Sequence, residues 1–132
     1  MIHDIQHLIY RFRGNAPKLQ GLWQRVGDDF AGCCVQLATV GETTRGYIAE
    51  LPDIMAARGW RLGDIKWASF QQRNPASHRF MDLFKQFDVQ TGEVTDSFYK
   101  PANLYFYKDT RLFIYADDSN VPKTVWERIR ER

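Results

Sequence analysis

Val26-Gly-Asp-Asp-Phe-Ala-Gly-Cys-Cys-Val-Gln-Leu-Ala-Thr-Val-Gly-Glu-Thr-Thr-Arg-Gly-Tyr-Ile-Ala-Glu-Leu-Pro-Asp-Ile54 supports two periods at once. Val26, Phe30, Cys33, Leu37, Val40, Thr44, Tyr47, Leu51 and Ile54 alternate steps of four and three, as the buried seam of a helix does. Cys33, Val35, Leu37 and Thr39 also alternate, as a strand does. Gly27, Gly32, Gly41 and Gly46 interrupt the series, and each costs about 1 kcal/mol relative to Ala inside a helix. The first reading is therefore helix in several pieces, with helix against strand open over 28–51.

Upstream of this stretch, Ile2, Ile5, Leu8, Ile9 and Phe12 fall on one stripe, with Gly14 as a stop, which predicts an amphipathic helix over 2–13. Asn15 as cap, Pro17 in the first turn and Leu19, Leu22, Trp23 and Val26 predict a second. Downstream, Pro52 to Gly59 predicts a short helix with its own start and stop. Beyond Gly59 the chain turns aromatic and β-rich. Alternation of Ile65, Trp67 and Ser69 predicts a strand near 64–72, whereas 75–87 supports either period. Hairpins are expected near 84–99, turning at Thr91-Gly92, and over 104–115. Ser119 or Asn120 as cap, Pro122, and the stripe Val121, Val125, Ile129 predict a closing helix over about 122–131. The expected architecture is α+β. A helical amino-terminal half would lie on an antiparallel sheet of four to six strands, with a carboxy-terminal helix, in one domain spanning 1–132.

The 104–115 hairpin raises the functional question. With Asp109 and Thr110 as its turn, Tyr107 would face Leu112 and Tyr105 Ile114 on one side, with Phe106 facing Phe113 and Leu104 Tyr115 on the other. Both faces are then apolar, while a sheet with one face in water alternates apolar with polar. The hairpin is thus either covered on both sides or offers one face to a partner. Tyr105, Tyr107, Lys108, Arg111, Tyr115 and Lys100 are the candidate binding residues, with Trp67 and Tyr99 nearby in sequence.

Other constellations are weaker. His3 and His7 are four apart, a spacing at which a helix can offer two metal ligands, but no third ligand follows at a diagnostic distance. Cys33 and Cys34 could include a nucleophile with His78 as base, yet free Cys more often behaves as a small buried hydrophobe. Gly41-Glu-Thr-Thr-Arg-Gly46 lacks the spacing of a phosphate loop. Asp28-Asp29 and Asp117-Asp118 precede expected helices and are read as caps. No cofactor is implied.

A net charge of +2 gives no basic excess of the kind nucleic-acid binders show, although Arg outnumbers Lys twelve to six. No apolar run reaches the roughly 20 residues of a membrane helix, and no leader pattern opens the chain, so a cytoplasmic protein without a membrane role is expected. These readings point to a small non-enzymatic interaction domain that meets a protein partner or a second copy of itself. Nucleic-acid binding through Arg and Tyr is the first rival. The second is an enzyme or small-ligand pocket lined by Trp60, Trp67 and Phe side chains.

Overall fold

The computed structural model describes residues 19–129, and eight strands follow one another along them. They are β1 (Gly21–Val26), β2 (Cys34–Val40), β3 (Thr43–Glu50), β4 (Ile65–Asn74), β5 (Ser77–Asp88), β6 (Glu93–Tyr107), β7 (Arg111–Ala116) and β8 (Thr124–Ile129). Each strand pairs antiparallel with the next, and β1 also pairs with β8, so the sheet closes into an up-and-down barrel. Among the described residues the single helix is α1 (Asp53–Ala56), between β3 and β4.

This overturns the α+β expectation. The second helix proposed through Leu22, Trp23 and Val26 is β1, and the seam from Val26 to Ile54 is β2, β3 and α1. The closing helix over 122–131 is β8 within the described residues, and eight strands replace four to six. The helix proposed over 2–13 lies outside the described residues. The short helix after Pro52, the strand near 64–72 and the two hairpins are present, the second hairpin in another register.

Local physics explains the corrections. Val40 pairs with Thr43 across a two-residue link, Gly41-Glu42, with Gly41 at φ 63°. A tight hairpin of this kind needs a positive φ at its first central residue, so the glycine that looked like a helix interruption makes the turn. The steps of three and four join side chains from the end of β1, the β1–β2 loop, β2, β3 and the stretch through α1, so no one helix carries them. At the carboxyl end, Ser119 caps no helix and instead closes a local turn, its Oγ accepting from Val121 N at 3.1 Å. Lys123 N then donates to Ile114 O, and from Thr124 onward the chain finds a strand on each side of it, β7 and β1. Two ladders outweigh a helix propensity that differs between residues by only about 0.7 kcal/mol.

Inward positions hold the core: Trp23, Val35, Leu37, Ile48, Trp67, Phe80, Leu104, Leu112, Ile114 and Trp126 are all at most 2% exposed. Trp67 meets Trp126 edge-on at 4.7 Å between centroids and Phe80 at 5.9 Å, while Trp23 meets Phe106 at 5.8 Å. An eight-stranded barrel is just wide enough for side chains to fill. Gly46 records how fully they do so. A Cβ there would lie 2.8 Å from Val35 Cγ1 and 2.9 Å from Trp67 Cε3. Gly46→Ala is therefore expected to lower stability by about 1–3 kcal/mol, read from the urea unfolding midpoint. An unchanged midpoint would mean that the interior has room to spare.

Candidate functional site

The hairpin of β6 and β7 turns over three residues, Lys108 to Thr110, with Lys108 at φ 57°. Tyr107 therefore pairs with Arg111, Phe106 with Leu112, Tyr105 with Phe113, Leu104 with Ile114 and Asn103 with Tyr115. The two-residue turn set odd positions opposite even ones and so mixed the faces; the extra residue restores parity. Leu104, Phe106, Leu112 and Ile114 face the barrel interior, and Tyr105, Tyr107, Phe113 and Tyr115 face out.

The outward face is an aromatic patch with a charged rim. Tyr105 stands edge-on to Tyr115 at 5.4 Å and Tyr107 to Phe113 at 6.3 Å. Tyr105 remains 45% exposed and Tyr107 54%. Lys108 lies over the Tyr107 ring, and Arg111 Nη2 bonds Glu127 Oε1 at 2.9 Å. At the other end of the patch, Arg79 forms a bidentate pair with Asp117 at 2.7 and 2.8 Å, and Asn103 donates to the same carboxylate. The Arg79 guanidinium holds the Asp117 carboxyl below the usual range. Asp117 thus anchors a loop, and no helix follows it among the described residues. Beside Tyr105 and Tyr115 an open cleft of about 480 Å³ is lined also by Asn103, Asp117, Ser119 and Asn120.

The structure brings together five of the six sequence candidates, Tyr105, Tyr107, Lys108, Arg111 and Tyr115, and separates Lys100. Lys100 lies on the inward side of β6, over Phe84 and Phe98. Phe113 joins the patch and was missed because the turn was read one residue short. Tyr99 lies away from the patch, its hydroxyl donating to Ile65 O at 2.6 Å. Trp67 is core, with Phe80 and Trp126 in the space a ligand pocket would need. Trp60 is 7% exposed beneath the ammonium groups of Lys66 and Lys85.

The other candidates do not assemble a reactive group. Burial pushes the Cys33 thiol up to about 11 and that of Cys34 up to about 12, the latter aided by the Glu50 carboxylate 3.4 Å away. Such thiols are protonated at neutral pH and poor nucleophiles. His78 contacts the rings of Phe70 and Phe106, and its Nδ1 is buried without a hydrogen-bond partner. His3 and His7 lie outside the described residues. Among the described residues no three His, Cys, Asp or Glu side chains cluster to hold a metal, and no helix is long and apolar enough to cross a membrane. No family model, no curated protein and no solved structure matches this chain, so its reading rests on geometry.

Burial pulls the His78 imidazole below its ordinary 6.5. As pH falls below about 6.5 the unfolded chain takes up a proton that the folded one resists, so stability drops; above that range the term vanishes. His78→Phe should remove this component. Between about pH 7.5 and pH 5 the wild-type unfolding midpoint should fall further than the variant's, whereas parallel curves would exclude a neutral buried imidazole.

Proposed function

We propose that this protein is a small non-enzymatic interaction module whose outer β6–β7 face docks on a protein partner. The observation that carries the reading is the exposed aromatic face itself. The barrel is closed and its interior filled without Tyr105, Tyr107, Phe113 and Tyr115, so the fold has no need of four rings on the outside. An aromatic centre within a polar rim is the anatomy of a protein interface, and Tyr is among the residues that most often carry its energy.

The rim selects the kind of partner. Arg79 and Arg111 are already neutralised by Asp117 and Glu127. Nucleic acid would need such cations free for phosphate. A protein surface of neutral, largely apolar side chains fits better, with one protruding group entering the cleft beside Tyr105. Recognition runs through side chains, since Tyr105 of β6 and Arg111 and Phe113 of β7 are paired on both sides and leave no continuous edge for strand addition. A cytoplasmic setting fits two free, buried thiols. The inward apolar side chains are the reverse of an outer-membrane barrel, whose interior is polar.

The test pairs Tyr105→Ser with Tyr107→Ser. Both rings are about half in water and each makes one edge-on ring contact, so the folded state should lose only about 1–2 kcal/mol and remain folded. Binding to a protein captured by the wild type, or to a second copy in sedimentation, should weaken by about 2 kcal/mol in the double variant and change little with salt. A wild-type chain that stays monomeric and retains no saturable protein partner would remove the proposal. Steeply salt-dependent binding to an oligonucleotide would replace it with the nucleic-acid reading.

A further inference from the structure

At the barrel end opposite the β6–β7 turn, three ammonium groups converge on one phenyl ring. Lys123 Nζ lies 4.0 Å from the Phe84 centroid, Lys66 Nζ 5.0 Å and Lys100 Nζ 5.5 Å. They come from the β7–β8 loop, β4 and β6, while Phe84 is on β5 and stacks on Phe98 of β6. Lys66 is fully engaged: its side chain is 6% exposed, and Nζ donates to Asp82 Oδ1 and Leu83 O, both at 2.6 Å. Among the described residues neither Lys100 nor Lys123 has an ion pair or a hydrogen bond from its ammonium group. Arg25, the remaining cation felt at Lys123, is held by Asp28 at 2.9 Å. The cluster therefore contains three ammonium groups against one carboxylate, Asp82.

The fold keeps these like charges together. Lys123 N donates to Ile114 O at 2.7 Å, which pins the loop that carries it. Burial lowers the Lys123 ammonium below its ordinary range, and Lys100, Lys66 and Arg25 lower it further, against the opposing pull of Asp82. The face of one aromatic ring offsets little of this repulsion, since a cation–π contact contributes about 0.5–2 kcal/mol. Between the charges is a crevice of about 30 Å³ lined by Asp82, Phe84, Lys100, Ala102, Ile114 and Lys123. It admits a water-sized group and no more.

We infer that Lys100 and Lys123, beside the Lys66–Asp82 pair, form a binding site for a phosphate-type dianion. Two uncompensated positive charges match a dianion better than a carboxylate. The narrow crevice takes oxygens of the anionic head and leaves the remainder of any larger ligand outside, against the Phe84–Phe98 stack. Inorganic phosphate and a phosphomonoester share this chemistry.

Titrating inorganic phosphate and phenyl phosphate into the whole chain, at ionic strength matched with chloride, tests the site by calorimetry and thermal unfolding. The wild type should bind phosphate saturably, with a rise in Tm that chloride does not give. Lys123→Met and Lys100→Met should each weaken binding about tenfold, the loss expected on removing one charge-assisted contact. Because each substitution relieves repulsion, the phosphate-free variants should unfold at the wild-type temperature or higher. Tighter binding of phenyl phosphate would assign the site to phosphomonoesters, and equal binding to the phosphate group alone. A phosphate response no larger than that of chloride, or variants that respond as the wild type does, would overturn the inference.

Discussion

Trp67 and Trp126 meet edge-on near the centre of the molecule, and the eight strands wrap the cluster that these two rings begin with Phe80, Trp23 and Phe106. Burying a large ring removes 150–250 Å² each from water, and an eight-stranded barrel has space for little else. That one constraint fixes several others. Gly46 must stay without a side chain because Val35 and Trp67 occupy its place. The inner positions of β6 and β7 must be Leu104, Phe106, Leu112 and Ile114, and the tyrosines between them are turned to water. With its interior filled, the protein can meet other molecules at its outer faces and its ends.

The two ends differ in kind. Near the β4–β5 turn, the mouth is closed by Phe70, His78 and Phe106. The opposite mouth carries a buried Lys66–Asp82 pair, whose charges must be removed from water at a cost of several kcal/mol each before their attraction is counted. Stability alone does not call for such a pair, since apolar side chains of similar size often serve as well. The anion site proposed for that end gives the pair, and the two further lysines beside it, a role other than stability.

What could be read from the residues followed from how local the signal was. The short helix after Pro52 and the strand over Ile65, Trp67 and Ser69 are written in nearest neighbours. The Thr91-Gly92 turn is too, and all three appear. Over Val26 to Ile54 a seam with steps of three and four can also be assembled from three strands, the loop after β1 and a short helix, with Gly41 turning β2 into β3. The error at the carboxyl end had another origin. Ser119, Pro122, Val125 and Ile129 satisfy every local rule for a helix, and only closure against β1, about a hundred residues away in sequence, makes them a strand. The aromatic face was visible as an excess of apolar residues, but its membership depended on one extra turn residue, Lys108. The lysine cluster left no trace in spacing, since its members come from β4, β6 and a loop.

Closure by β8 is the claim on which the barrel, the outward tyrosines and the lysine cluster all depend. Cross-strand nuclear Overhauser contacts report it directly. A closed barrel requires close approach of the backbones of Trp23 and Arg128, and of Arg25 and Trp126, the partners across β1 and β8. Sequential contacts of helical type from Pro122 to Ile129, with no contact to β1, would contradict it.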